Sequence, residues 1–223
     1  MNFFRTNLRQ SWQQCLFCAL TLSATFHAEA DEVGQITSNG QRLTQFLDQT
    51  RVEELWPAGV HVAWETGVPN GKPAKGEGKH THCSAFVAAI AKRLGIYILR
   101  PPDHSAQLLA NAQYDWLLMR GAPKGWEERL SAKQAQQAAN SGVLVVAVYR
   151  SHHDDKPGHI AIVRPDLKSG RALDLEGPQI TQAGAVNYLS ATLAQGFASQ
   201  PLAWKKKEVR YFLHDIEWEN VHE

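Results

Sequence analysis

Residues 82–95 read His-Cys-Ser-Ala-Phe-Val-Ala-Ala-Ile-Ala-Lys-Arg-Leu-Gly. Ser84–Leu94 holds strong helix formers with no internal Gly or Pro, and Gly95 supplies a stop. The glycine- and lysine-rich stretch Gly67–Gly78 precedes it and reads as a loop. Cys83 therefore sits at the predicted N-terminus of an apolar helix. There, unpaired backbone N–H groups and the helix dipole favour a negative charge, so the thiol pKa should fall. The same N–H groups are candidate oxyanion donors.

Working outward, Ser38 or Asn39 can cap a helix over Gln41–Leu55, ended by Trp56-Pro57-Ala58-Gly59. Val60–Trp64 alternates like a short strand. Pro101-Pro102 breaks the chain, Asp103 can cap a helix reaching Leu118, and Ser131 can cap another ending at Asn140-Ser141-Gly142. Strands follow. Val143–Tyr149 is a continuous apolar run suited to a central strand, Gly158–Val163 a second, Arg171–Leu175 a third and Glu208–Trp218 the last. Residues 180–196 mix polar and turn residues and fit neither pattern. Helices first and strands later is the segregated pattern of an α+β fold, with the N-terminal helices packed on a C-terminal antiparallel sheet.

The N-terminus reads as a secretory signal over residues 1–30. Arg5 and Arg9 precede the apolar run Cys15–Phe26, and Ala28-Glu29-Ala30 offers a small-x-small cleavage site near Ala30. The expected location is periplasmic or secreted. Residues 31–223 form one domain, with no stable membrane span once the signal is removed. Taking Arg5, Arg9 and Glu29 from 23 basic and 22 acidic residues leaves 21 of each. A balanced chain lacks the basic surplus that nucleic-acid binding needs, so no nucleic-acid partner is expected. Of three cysteines, two lie in the signal, and Cys83 alone remains. It has no internal partner for a disulfide, and a lone thiol in an oxidising compartment points to reactivity.

A cysteine nucleophile needs a base. His159 opens a rigid apolar strand and is the candidate. An orienting third residue is expected nearby, from Asp174, Glu176, Gln179 or Gln182, and alternation cannot separate Asp174 from Glu176. His80, His82, Cys83 and the 152–155 cluster lack the paired spacing of a zinc site, so no metal and no cofactor are expected. Trp64, near the nucleophile loop, is a candidate to line a substrate cleft.

Thr81-His82-Cys83-Ser84-Ala85-Phe86-Val87, continuing to Leu94-Gly95-Ile96, resembles the nucleophile helix of NlpC-type and CHAP cell-wall hydrolases. Gly142–Tyr149 and Gly158-His159-Ile160-Ala161-Ile162-Val163 resemble that superfamily's apolar strand and Gly-His strand, in the same order. The likeness covers residues 60–180. It implies a papain-like core, a Cys83–His159 catalytic pair and hydrolysis of an amide in peptidoglycan or its peptide fragments. The bond would be one in the stem peptide or the one joining muramic acid to L-alanine. Glu176 suits the third position by its placement after the histidine strand, with Gln179, Gln182 and Asp174 as alternates. His82 stands where many members carry Asp, and with Trp64 it is a candidate substrate contact. An acyltransferase or deamidase on the same fold, or a non-catalytic wall-binding or inhibitor module, uses the same pattern differently. Any protein inhibitor of the chain itself is left unidentified.

Overall fold

The structure, a computed structural model, describes residues 34–73, 80–129 and 131–221. The signal expected over residues 1–30, with its cleavage site, lies outside them. The elements run in order α1 (Ser38–Asp48), β1 (Val60–Val62), β2 (Pro69–Pro73), α2 (Cys83–Arg93), α3 (Leu109–Arg120), β3 (Glu127–Arg129), α4 (Ala132–Asn140), β4 (Leu144–Tyr149), β5 (His159–Val163), α5 (Gly170–Glu176), β6 (Gln179–Gln182), β7 (Tyr188–Thr192), α6 (Leu193–Gly196), α7 (Pro201–Lys205) and β8 (Arg210–His214). The fold is mixed α+β, built on one six-stranded antiparallel sheet of order β3-β8-β4-β5-β6-β7, with a separate β1-β2 hairpin.

β4 is the centre of the sheet. Every residue from Leu144 to Tyr149 is buried, which explains its unbroken apolar sequence. It pairs with β5 through Val146↔Ile162, Ala147↔Ala161 and Tyr149↔His159, so His159 ends a ladder anchored over its whole length. Strand alternation sends Val146, Val148, Ile160 and Ile162 to one face, against Phe86, Val87 and Ile90 of α2. Val145, Ala147, Ala161 and Val163 face the other way, against Ala135, Ala139, Leu193 and Phe197. Helices therefore cover both faces of the sheet. Phe86, Val87 and Ile90 have no exposed surface. Each contributes about 1.5–3 kcal/mol of burial, so α2 is held by its sides and its N-terminus is free to carry chemistry.

Several boundaries differ from expectation for local reasons. Residues 171–175 alternate like a strand but form α5, because Ser169 caps the helix by accepting from the Ala172 N–H at 3.2 Å. Asp103 caps nothing. Its carboxylate accepts the Tyr97 hydroxyl at 2.6 Å, and α3 starts at Leu109. Thr37 caps α1, with its hydroxyl accepting from the Gly40 N–H, and α1 ends at Asp48. The ambiguous 180–196 stretch is the β6-β7 hairpin followed by α6, whose start is a capping box between Thr192 and Gln195. The last strand is shorter than expected, Arg210–His214. Among the described residues, no helix is long and apolar enough to cross a membrane.

Candidate active site

Cys83 is the first residue of α2 and is 4% exposed. The helical ladder begins with the Phe86 N–H donating to the His82 carbonyl at 2.9 Å. The N–H groups of Cys83, Ser84 and Ala85 precede it and lie at the positive end of the dipole. His159, the first residue of β5, is 6% exposed and faces Cys83 closely enough that each group shifts the pKa of the other. Two elements remote in sequence thus bring together the two residues singled out as nucleophile and base.

Each group shifts the other toward its charged form. Burial alone would raise the Cys83 thiol. The facing charge of His159, its hydrogen bond, and backbone hydrogen bonds at Ile160 and Ser84 outweigh burial and lower it. Burial would lower the His159 imidazole, but Cys83 and Gln182 raise it. Both shifts favour thiolate beside imidazolium. Phe197 packs edge-on to the His159 ring, with centroids 4.6 Å apart at 73°, and fixes the ring plane.

The third position belongs to Gln182, the last residue of β6. Its Oε1 lies 2.7 Å from Nε2 of His159, and its own amide nitrogen donates to the Val186 carbonyl at 3.1 Å. Gln182 is 2% exposed. Room for its amide exists because residue 196 is a glycine. A Cβ there would come within 2.5 Å of Gln182 Oε1 and 2.3 Å of Ile180 Cδ1.

Glu176 corrects the expectation. It ends α5 rather than following a strand, its side chain is 53% exposed, and its carboxylate faces Lys168 Nζ at 3.5 Å. Asp174 lies on the same helix, lining a separate small cavity with Trp204 and Tyr211. Gln179, at the other end of β6, donates to the Ser190 hydroxyl at 2.8 Å and accepts from Lys168. None of the three is a partner of His159.

Two clefts meet at the pair. One, of about 330 Å³, is lined by His159, Gln182, Val186, Tyr188, Gln195 and Gln200. The other, of about 310 Å³, is lined by Cys83, Ser84, His80, Gln107, Leu108 and Leu109. Thr81 and Pro157 belong to both. Neither Trp64 nor His82 lines them. Trp64 packs against the core, accepts the Trp56 indole N–H through its carbonyl at 3.0 Å, and carries Lys92 over its ring. His82 holds the Val60 carbonyl at 2.9 Å through Nε2 and so ties the start of α2 to β1; burial lowers its pKa. Neither touches the clefts at Cys83 and His159, which corrects the expectation of substrate contact there; Trp64 lines a separate cleft with Lys92, Tyr97 and Asp103.

Sequence reasoning missed Asn111 as a site residue. Its Oδ1 accepts from the Ser151 and Gly158 N–H groups at 3.1 and 2.8 Å, and its Nδ2 donates to the Lys156 carbonyl at 2.9 Å. Gly158 has no space for a side chain, since a Cβ would lie 2.1 Å from the Tyr149 carbonyl oxygen. In the sequence, only the glycine directly before His159 hinted at this contact. Among the described residues, no group of three His, Cys, Asp or Glu side chains is placed to hold a metal ion. Set beside known proteins, the chain matches no protein-family model and no curated protein.

Proposed function

We propose that the protein is a cysteine amidohydrolase of the bacterial cell wall, acting from the periplasm or after secretion on an amide in peptidoglycan. One observation carries the chemistry: at the junction of two clefts, His159 faces Cys83 on one side and is hydrogen-bonded to Gln182 on the other. The choice of substrate rests on the resemblance of residues 81–96 and 158–163 to NlpC-type and CHAP hydrolases. The nucleophile helix against an antiparallel sheet, with the base on β5, supports reading the fold as a papain-like core.

In this mechanism the Cys83 thiolate attacks the amide carbonyl carbon, forming a C–S bond. N–H groups at the start of α2 receive the oxyanion. The His159 imidazolium gives its proton to the leaving nitrogen as the C–N bond breaks. Water, deprotonated by the now neutral His159, attacks the thioester. The acid leaves, and the thiolate–imidazolium pair is restored. Gln182 holds the ring throughout.

The test is purified wild-type protein and Cys83→Ala on isolated peptidoglycan, with mass spectrometry of the soluble products. Peptide fragments released by wild type alone are the expected result, and their masses name the bond. Equal release by Cys83→Ala overturns the mechanism. Release by neither overturns the wall substrate.

A further inference from the structure

Two buried amides on one helix bind the backbone of the residues next to each half of the reactive pair. Asn111 and Gln113 are two positions apart on α3, and residues at that spacing point about 200° apart around a helix. Asn111, 6% exposed, reaches the β4-β5 connection and binds Ser151, Lys156 and Gly158, the last of which is bonded directly to His159. Gln113, with no exposed surface, reaches the opposite way. Its Nε2 donates to the Ser84 carbonyl at 3.1 Å and to the Leu99 carbonyl at 3.0 Å. Ser84 is bonded directly to Cys83. The Gln113 Oε1 is buried with no hydrogen-bond partner, so this amide is kept in place despite an unmet acceptor. The helix itself starts at a strained residue: Leu108, its N-cap, has φ 53° and lines the Cys83 cleft.

We propose that Asn111 and Gln113 are positioning residues, a strut across α3 that sets the separation of the Cys83 helix from the His159 strand. The proposal rests on reading Cys83 and His159 as the reactive pair. Apolar packing between α2 and the sheet resists separation but is non-directional. Hydrogen bonds to the peptides flanking both residues fix distance and direction. Loss of either amide lets the thiol and imidazole drift apart, and the thiolate then loses its counter-charge.

The test reads Cys83 without any wall substrate: the pH dependence of its alkylation by iodoacetamide in the full protein. Asn111→Ala is expected to move the thiolate titration upward by about one unit, a roughly tenfold loss of alkylation rate on the acid side. Gln113→Met keeps the side-chain volume and removes both donations. It covers the case in which Asn111→Ala fails to fold, and it is expected to shift the titration in the same direction. Val145→Ala, on the far face of the sheet, is the control: it should lower Tm and leave the titration in place. A titration in both strut variants that superimposes on wild type overturns the proposal. A shift confined to Asn111→Ala overturns the Gln113 half. If wild type leaves peptidoglycan intact while the variants shift the titration, the strut stands and the wall-substrate reading falls.

Discussion

Oε1 of Gln182 accepts a hydrogen bond from Nε2 of His159 across 2.7 Å, and the far end of the amide decides who donates. Gln182 Nε2 gives its hydrogen to the Val186 carbonyl, so Oε1 is turned to the ring and can only accept. Nε2 of His159 therefore holds a proton in every state of the pair. Nδ1 is left for Cys83, and proton exchange with the thiol runs through that atom alone.

Gln182→Ala removes the acceptor. A hydrogen bond to a charged group contributes about 1.5–3 kcal/mol, which corresponds to about a 10–100-fold loss of kcat. The thiolate titration should also move upward, because the imidazolium has lost a partner. Steady-state kinetics together with thiol alkylation check both effects. Wild-type values for each would remove Gln182 from the site.

Glu176→Ala should leave kcat and KM unchanged. Its half-exposed carboxylate meets the buried Lys168 ammonium at 3.5 Å, away from both clefts, so its loss should lower Tm and leave turnover alone. A loss of activity without a matching fall in Tm would reinstate Glu176 as the orienting residue.

Gly196→Ala tests the same contact from the side. The new methyl meets Gln182 Oε1 and Ile180 Cδ1, both ends of movable side chains. Overpacking of this kind costs about 1–3 kcal/mol. The variant should fold with a lowered Tm and lose activity in the manner of Gln182→Ala. Full activity at a lowered Tm would show that the amide is not critical.

The pH profile follows from the two shifts. Cys83 is lowered from 9.0, so its stabilisation is full above 9.0 and is lost as pH falls through the lowered value. His159 is raised from 6.5, so its stabilisation is full below 6.5 and is lost as pH rises through the raised value. Activity should be bell-shaped, with Cys83 setting the acid limb and His159 the alkaline limb, each moved in the direction of its shift. The stability difference between wild type and Cys83→Ala should fade on both sides of the same window. Urea unfolding across pH measures it. A difference that rises steadily from acid to alkali would mean the two groups titrate independently.

Cys83 and His159 were legible as a pair because each announces itself within a few residues. Cys83 opens an apolar helix, and His159 follows a glycine at the head of an apolar strand. Gln182 was visible only as one of several alternates, since its placement depends on the β6-β7 hairpin and on a cap at Ser169 that turned an apparent strand into α5. Trp64 suggested a cleft because an aromatic near a reactive loop often lines one, whereas the cleft it lines, with Lys92 over its ring, is not the one at Cys83. Asn111 looked like any polar position on a helix. Its value comes from three backbone groups contributed by a segment some 40 residues away, a relation that local pattern does not encode.

Cys83 is packed with the apolar layer on the α2 side of the sheet, while the His159 ring rests on Phe197 in the layer behind it. The sheet keeps the two layers in step. A small slip of one layer over the other would part sulfur from imidazole while each layer stayed folded. Heat inactivation should therefore run ahead of melting, and the shelf life of the protein is set by this seam rather than by the strength of either layer.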